Sequence, residues 1–223
     1  MRFLLPALTL LVLTGCDFAS DIDDQAYADG GLLAIGDSIF DFHRGEGSIP
    51  EVVAEATDLA LVDASMGGAM LTGDDESIAD QRVDGSFEWL LMDGGGNDLN
   101  DRCACGACEG VMNEVLTADG RGGVIADIVE EATAQGSKVL FMGYPELPDG
   151  AEFGFDRCGD ELTELNARLA TLDAQQDAMW FVSAGDVVGA DDLDLFDGDR
   201  VHPSPAGSQV MGDYVAETIS ANR

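Results

Sequence analysis

A serine, a histidine, an aspartate and an asparagine stand in this chain in surroundings that suit acyl transfer. Ser38 closes the tripeptide Gly36-Asp37-Ser38, Asn97 lies within Gly95-Gly96-Asn97-Asp98, and Asp199-Arg200-Val201-His202-Pro203 falls near the carboxyl end. A serine hydroxyl is a weak nucleophile at neutral pH. It attacks a carbonyl when an imidazole takes its proton and a carboxylate orients that imidazole. Ser38 is therefore the candidate nucleophile, His202 the base and Asp199 its orienter; three residues of separation let the carboxylate meet one ring nitrogen while the other faces the serine. The oxyanion that forms needs hydrogen-bond donors aimed at it, and the Asn97 side-chain amide on its glycine-flanked turn suits that role. Each segment alone also reads as an ordinary turn or helix cap; their joint, ordered occurrence points to an ester hydrolase working through an acyl-enzyme on Ser38, with no metal or organic cofactor. His43 is the competing base. It lacks the Asp-x-x-His-Pro context and is expected on the helix or loop leaving the Ser38 turn.

The elements that must position these groups can be read from apolar periodicity. Short apolar runs alternating with helical patterns predict a parallel sheet flanked by helices. The strand candidates are 31–35, 60–62, 87–92, 138–142 and 179–182. Ser48-Ile49-Pro50-Glu51 reads as a capping-box helix start, residues 122–134, 157–172 and 205–220 as further helices, the last capped by Ser204 with Pro205 at its first position. The expected fold is α/β, a three-layer sandwich with a flavodoxin-like five-stranded parallel sheet. In such sheets the binding crevice lies beyond the carboxyl ends of the strands, and Ser38, Gly68 and Asn97 each follow a predicted strand. Asp37 and Asp98 are expected to hold the Ser38 and Asn97 turns through backbone N–H groups.

The chain resembles the SGNH (GDSL-type) hydrolases over most of its length. Gly36-Asp37-Ser38-Ile39 is similar to the family's first block, with isoleucine in place of the usual leucine. Asp63-Ala64-Ser65-Met66-Gly67-Gly68 resembles the second, Gly95 to Asp98 the third and Asp199 to His202 the last. The resemblance implies that Ser38 is the nucleophile, His202 the base and Asp199 its partner. It implies an oxyanion hole made by the Ser38 and Gly68 N–H groups with the Asn97 amide, Gly67 being the alternative to Gly68. Substrates of such proteins include short-chain esters, thioesters, lysophospholipids and acetylated carbohydrates, so a small acyl ester or an acylated glycan is the expected partner. Two other readings stand beside hydrolysis: an O-acyltransferase of cell-surface glycan using the same site, and a catalytically idle lipoprotein that binds glycan or protein.

The amino-terminal segment has a basic start, an apolar run from Leu4 to Leu13, and Leu13-Thr14-Gly15-Cys16, which resembles a bacterial lipoprotein signal peptide. Residues 1–15 are then the signal peptide, Cys16 the lipidated residue, 16–30 an acidic tether and 31–223 the hydrolase domain. This predicts an exported protein, anchored through Cys16 to a bacterial membrane, with its domain in the periplasm or at the cell surface. The chain carries 44 acidic against 10 basic residues, a formal charge of -34. That balance argues against nucleic-acid binding, which needs basic patches. Cys103, Cys105, Cys108 and Cys158 remain once Cys16 is set aside. In an exported chain they predict two disulfides, Cys158 with one member of the cluster and the other two paired locally. A four-thiolate zinc site is the alternative.

Overall fold

The structure is a computed structural model and describes residues 30–73, 76–83 and 85–223. Cys16 and the segment read as signal peptide and tether, up to residue 29, lie outside the described residues. Among the described residues no helix is long and apolar enough to cross a membrane.

Five strands form one sheet: β1 (Leu32–Ile35), β2 (Leu61–Asp63), β3 (Trp89–Met92), β4 (Lys138–Gly143) and β5 (Met179–Ser183). Their order is β2-β1-β3-β4-β5 and every pairing is parallel, with Leu32 opposite both Leu61 and Trp89. The sequences Leu-Leu-Ala-Ile and Trp-Leu-Leu-Met are buried at every position, as a central parallel strand covered on both faces must be. β2, at the edge, is only half-buried. The expected doubly wound sheet is thus the observed one, with each strand displaced by no more than two residues at an end.

Seven helices complete the described fold: α1 (Ser38–Asp41), α2 (Ile49–Thr57), α3 (Gly96–Cys103), α4 (Glu109–Val115), α5 (Val124–Ala134), α6 (Gly159–Asp173) and α7 (Pro205–Ala221). Right-handed crossovers put α2 on one face and α5 and α6 on the other, and α7 packs along α2. Glu51 reaches back to the Ser48 N–H at 2.8 Å, and the Ser204 hydroxyl accepts from Gly207 N at 3.2 Å, so both helix starts predicted from capping residues are present. α6 begins two residues later than periodicity suggests, because Phe155–Arg157 form a separate 3-10 turn behind Gly154. The chain turns in opposite directions on leaving β1 and β3, which are neighbours with Ile35 opposite Met92. That reversal opens a crevice at their carboxyl ends.

Candidate active site

Ser38 stands three residues beyond β1 as the first residue of α1. The turn before it is built tightly. A Cβ on Gly36 would lie 1.7 Å from Asp93 Oδ1, so only glycine fits there. The buried Gln81 clasps the Gly36 backbone, accepting its N–H at 2.7 Å and donating to its carbonyl at 2.9 Å. Asp37 caps α1 by accepting the Ile39 N–H at 2.9 Å, as expected for a short polar side chain at this position. Its other oxygen accepts the Tyr144 hydroxyl at 2.7 Å, and Tyr144 in turn accepts the Gly96 N–H at 3.0 Å. One phenol therefore joins the Ser38 turn to the start of the Asn97 helix.

Asp93, at the end of β3, is buried beneath the same turn. Its Oδ1 accepts the Asp37 N–H at 2.9 Å, while its Oδ2 receives no donor from the protein. Burial raises the Asp93 carboxyl well above its usual range and the nearby Asp37 charge adds to the effect. Asp37 is itself raised by burial, against the hydrogen bonds from Ile39 and Tyr144 that favour its charged form. Of the two carboxyls Asp93 is raised the more, and we assign the proton to it, on the buried Oδ2 that meets no protein donor. Burial, with the Asp37 charge, also pushes Tyr144 well above the ordinary phenol range, so it remains a donor.

This assignment predicts the effect of Asp93→Asn. An unfolded aspartate loses its proton near pH 4, whereas the buried one keeps it to higher pH. Native stability owed to this group is complete below the unfolded pKa and is lost as pH rises towards the folded one. Asparagine supplies the donor without titrating, so the variant should gain on wild type progressively between about pH 4 and 7. Urea midpoints of both proteins across that range provide the check; a difference independent of pH would mean that folded Asp93 ionises like a surface carboxylate.

The loop after β2 docks onto the Ser38 turn through Met66 N to the Gly36 carbonyl at 3.0 Å and Gly67 N to Asp41 Oδ2 at 2.9 Å. The Gly67 N–H is thereby committed. Gly68, exposed and at a φ of +78°, keeps its N–H free of protein partners among the described residues. Asn97, in the first turn of α3, directs its amide into the same region, where it donates to the Ala69 carbonyl at 3.0 Å. Gly95 caps α3 in the left-handed region at a φ of +102°. Asp98 differs from the sequence expectation. Instead of holding its own turn, its buried carboxylate reaches across to the Leu71 and Thr72 N–H groups at 2.8 and 3.0 Å. It ties the third block to the second, a long-range contact that spacing along the chain does not encode.

Asp199 and His202 come from the loop before α7. Asp199 Oδ1 accepts the Val201 and His202 N–H groups at 2.9 and 3.0 Å, and Oδ2 meets His202 Nδ1 at 2.6 Å. Burial tends to raise the Asp199 carboxyl, but the bonds from the His202 side chain and these two backbone groups outweigh it and hold it below its usual value. The imidazole is stacked on Phe42, with centroids 4.3 Å apart and planes inclined by 7°. Phe42 follows directly on α1, and its N–H donates to the Ser38 carbonyl at 3.0 Å. The His202 ring is therefore fixed against the short helix that carries Ser38. His43 lies one residue further, edge-on to Phe42, with its Nε2 3.5 Å from Asp197 Oδ2.

The cysteines pair as Cys103–Cys108 and Cys105–Cys158. The cluster closes the far end of α3, and Cys158 links it to the segment between β4 and α6. Tyr144, Asp93 and Gln81 are site residues that the sequence reading did not single out. Tyr144 and Asp93 follow or end sheet strands at the carboxyl edge, the rule that located Ser38 and Asn97; Gln81 sits in a 3-10 turn and gives no such signal.

A doubly wound parallel sheet with Ser38, Asn97 and the Asp199–His202 pair gathered along its carboxyl edge defines an SGNH-type hydrolase architecture. The chain belongs to the GDSL-like lipase/acylhydrolase family, whose model matches residues 34–210. Among solved structures it is similar to the aryl esterase of M. smegmatis, at 20% identity and a TM-score of 0.58 over 87% of this chain and 99% of that one. A candidate SGNH hydrolase from Slackia heliotrinireducens aligns at 20% identity and a TM-score of 0.59, covering 86% and 99%. A candidate arylesterase from Agrobacterium tumefaciens aligns at 17% identity and 0.64, again over 86% and 99%. At these identities the solved structures speak for the fold. A search of curated proteins finds no match.

Proposed function

We propose that this protein hydrolyses carboxylic esters through an acyl-enzyme on Ser38. The observation that carries the reading is the Asp199–His202 pair, bonded at 2.6 Å and stacked on Phe42 one turn beyond Ser38. His202 Nε2 takes the Ser38 proton as Oγ attacks the carbonyl carbon. The oxyanion is met by the Ser38 and Gly68 N–H groups and by the Asn97 amide, which turns from the Ala69 carbonyl to the substrate. His202 then gives its proton to the leaving oxygen, the ester C–O bond breaks, and water repeats the sequence to free the acid. The aryl esterase neighbours and the family match support ester substrates. The lipobox-like Leu13-Thr14-Gly15-Cys16 supports export and anchoring at Cys16.

The test is covalent labelling of the purified protein with a fluorophosphonate probe, beside Ser38→Ala and a series of acyl esters of increasing chain length. Wild type should label stoichiometrically and turn over esters, and Ser38→Ala should do neither. Failure of the folded wild type to label or turn over would favour a binding lipoprotein.

A further inference from the structure

The segment from Tyr144 to Cys158, which joins β4 to α6, crosses the candidate site as a strap. It is pinned to α3 by Asn100 Nδ2 donating to the Phe153 carbonyl at 3.0 Å, and to the turn that follows α3 by the Cys105–Cys158 disulfide. On the opposite side, the Glu152 N–H donates to the Asp199 carbonyl at 3.0 Å and Arg200 donates to the Asp149 carbonyl. The strap thus binds the helix of Asn97 to the loop of Asp199 and His202.

At its crest the strap presents Phe153, which is 64% exposed and has a φ of +57°. Two unfavourable choices coincide there. A large apolar ring faces solvent, and a non-glycine residue with a bulky side chain occupies the left-handed region. Backbone strain of this kind persists where the surroundings over-determine it, and it gathers at ligand clamps; here hydrogen bonds on both sides of Phe153 impose it. The ring centroid lies 6.2 Å from that of His202, with the planes at 59°. Phe42 covers one face of the imidazole at 4.3 Å, so Phe153 flanks the part of the ring that the stack leaves open.

We propose that Phe153 is the specificity-determining wall for the alcohol part of the ester, selecting leaving groups with a flat apolar face. This rests on the acyl-enzyme reading above. The imidazole must hydrogen-bond the leaving oxygen to protonate it, so the groups around His202 mark the leaving-group side. A ring attached to that oxygen comes within van der Waals reach of Phe153, where offset or edge-to-face stacking is favourable. A phenol offers such a face, and so does the C–H face of a pyranose. A small alkyl alcohol does not.

Three acetates with a common acyl group separate these cases: phenyl acetate, ethyl acetate and a mono-acetylated methyl pyranoside. Steady-state kcat and KM are measured for wild type, Phe153→Ala, Phe153→Trp and, as a control, Leu193→Ala, which alters the other large exposed apolar side chain among the described residues. Phe153→Ala should lower the kcat/KM ratio of a flat ester to ethyl acetate by about tenfold, chiefly through KM. Phe153→Trp should keep the ratio and Leu193→Ala should not move it. Which flat ester responds identifies aryl or sugar as the natural leaving group. An equal loss on all three esters, or no loss on either flat one, overturns the assignment while leaving the acyl-enzyme intact. Absence of wild-type turnover together with absence of Ser38 labelling overturns both.

Discussion

His202→Ala should lower kcat for ester hydrolysis by about 10⁴- to 10⁶-fold, whereas His43→Ala should retain most of the activity. Both imidazoles touch Phe42, one on its face and one on its edge, at inclinations of 7° and 78°. What separates them is the carboxylate. His202 Nδ1 meets Asp199 at 2.6 Å, an oxygen whose partner atom is already fixed by two backbone N–H groups. This fixes ring orientation and leaves Nε2 as the free base. His43 reaches Asp197 only at 3.5 Å and through Nε2, with a side chain on Asp197 that is 42% exposed. A loosely held ring whose Nε2 faces a carboxylate is poorly placed to accept a serine proton. Single-turnover acylation with an activated ester would measure both variants directly. Loss of acylation in His43→Ala with its survival in His202→Ala would transfer the base to His43.

Removing the Cys105–Cys158 bridge by paired alanine substitution should destabilise the protein by about 4 kcal/mol, and removing Cys103–Cys108 by about 2 kcal/mol, on the chain-entropy account of cross-links. The contrast follows from sequence separations of 53 and 5 residues, because the longer loop restricts the unfolded chain more. Cys158 is fully buried and Cys105 nearly so, which makes alanine a better replacement than serine. Urea unfolding at constant pH gives both values. The longer bridge should also raise the urea dependence when removed, since the unfolded chain expands. A loss below about 1 kcal/mol for the Cys105–Cys158 pair would show that the strap is held by Asn100, Glu152 and Arg200 without the cross-link.

The sheet was legible because its central strands are unbroken apolar runs separated by helical spacing, and Leu32–Ile35 and Trp89–Met92 have no other use for four successive buried side chains. The candidate catalytic groups were legible because each lies in a short segment whose neighbours serve the same end, with glycines around Asn97 and an aspartate three residues before His202. Residues that act across the fold left no such trace. Tyr144 serves Asp37 and Gly96, at separations of 107 and 48 residues. Asp98 serves Leu71 and Thr72, and Gln81 serves Gly36. Their meaning comes from strand order, which places β4 beside β3 and β3 beside β1, and one aspartate or tyrosine in isolation does not announce its partner. The cysteine pairing falls between these cases. Spacing set Cys158 against the cluster, but only the fold selects Cys105.

The interleaving of the two bridges also bears on how the reduced chain reaches its oxidised form. Three thiols within six residues compete for Cys158, so scrambled isomers are close at hand. Closing the short Cys103–Cys108 loop is favoured over closing the long one by roughly thirtyfold in effective concentration. A local bond is therefore expected before the long one, and Cys103–Cys108 is the local bond that leaves Cys105 for Cys158. The time course of oxidation would carry the order of events on which the shape of the strap depends.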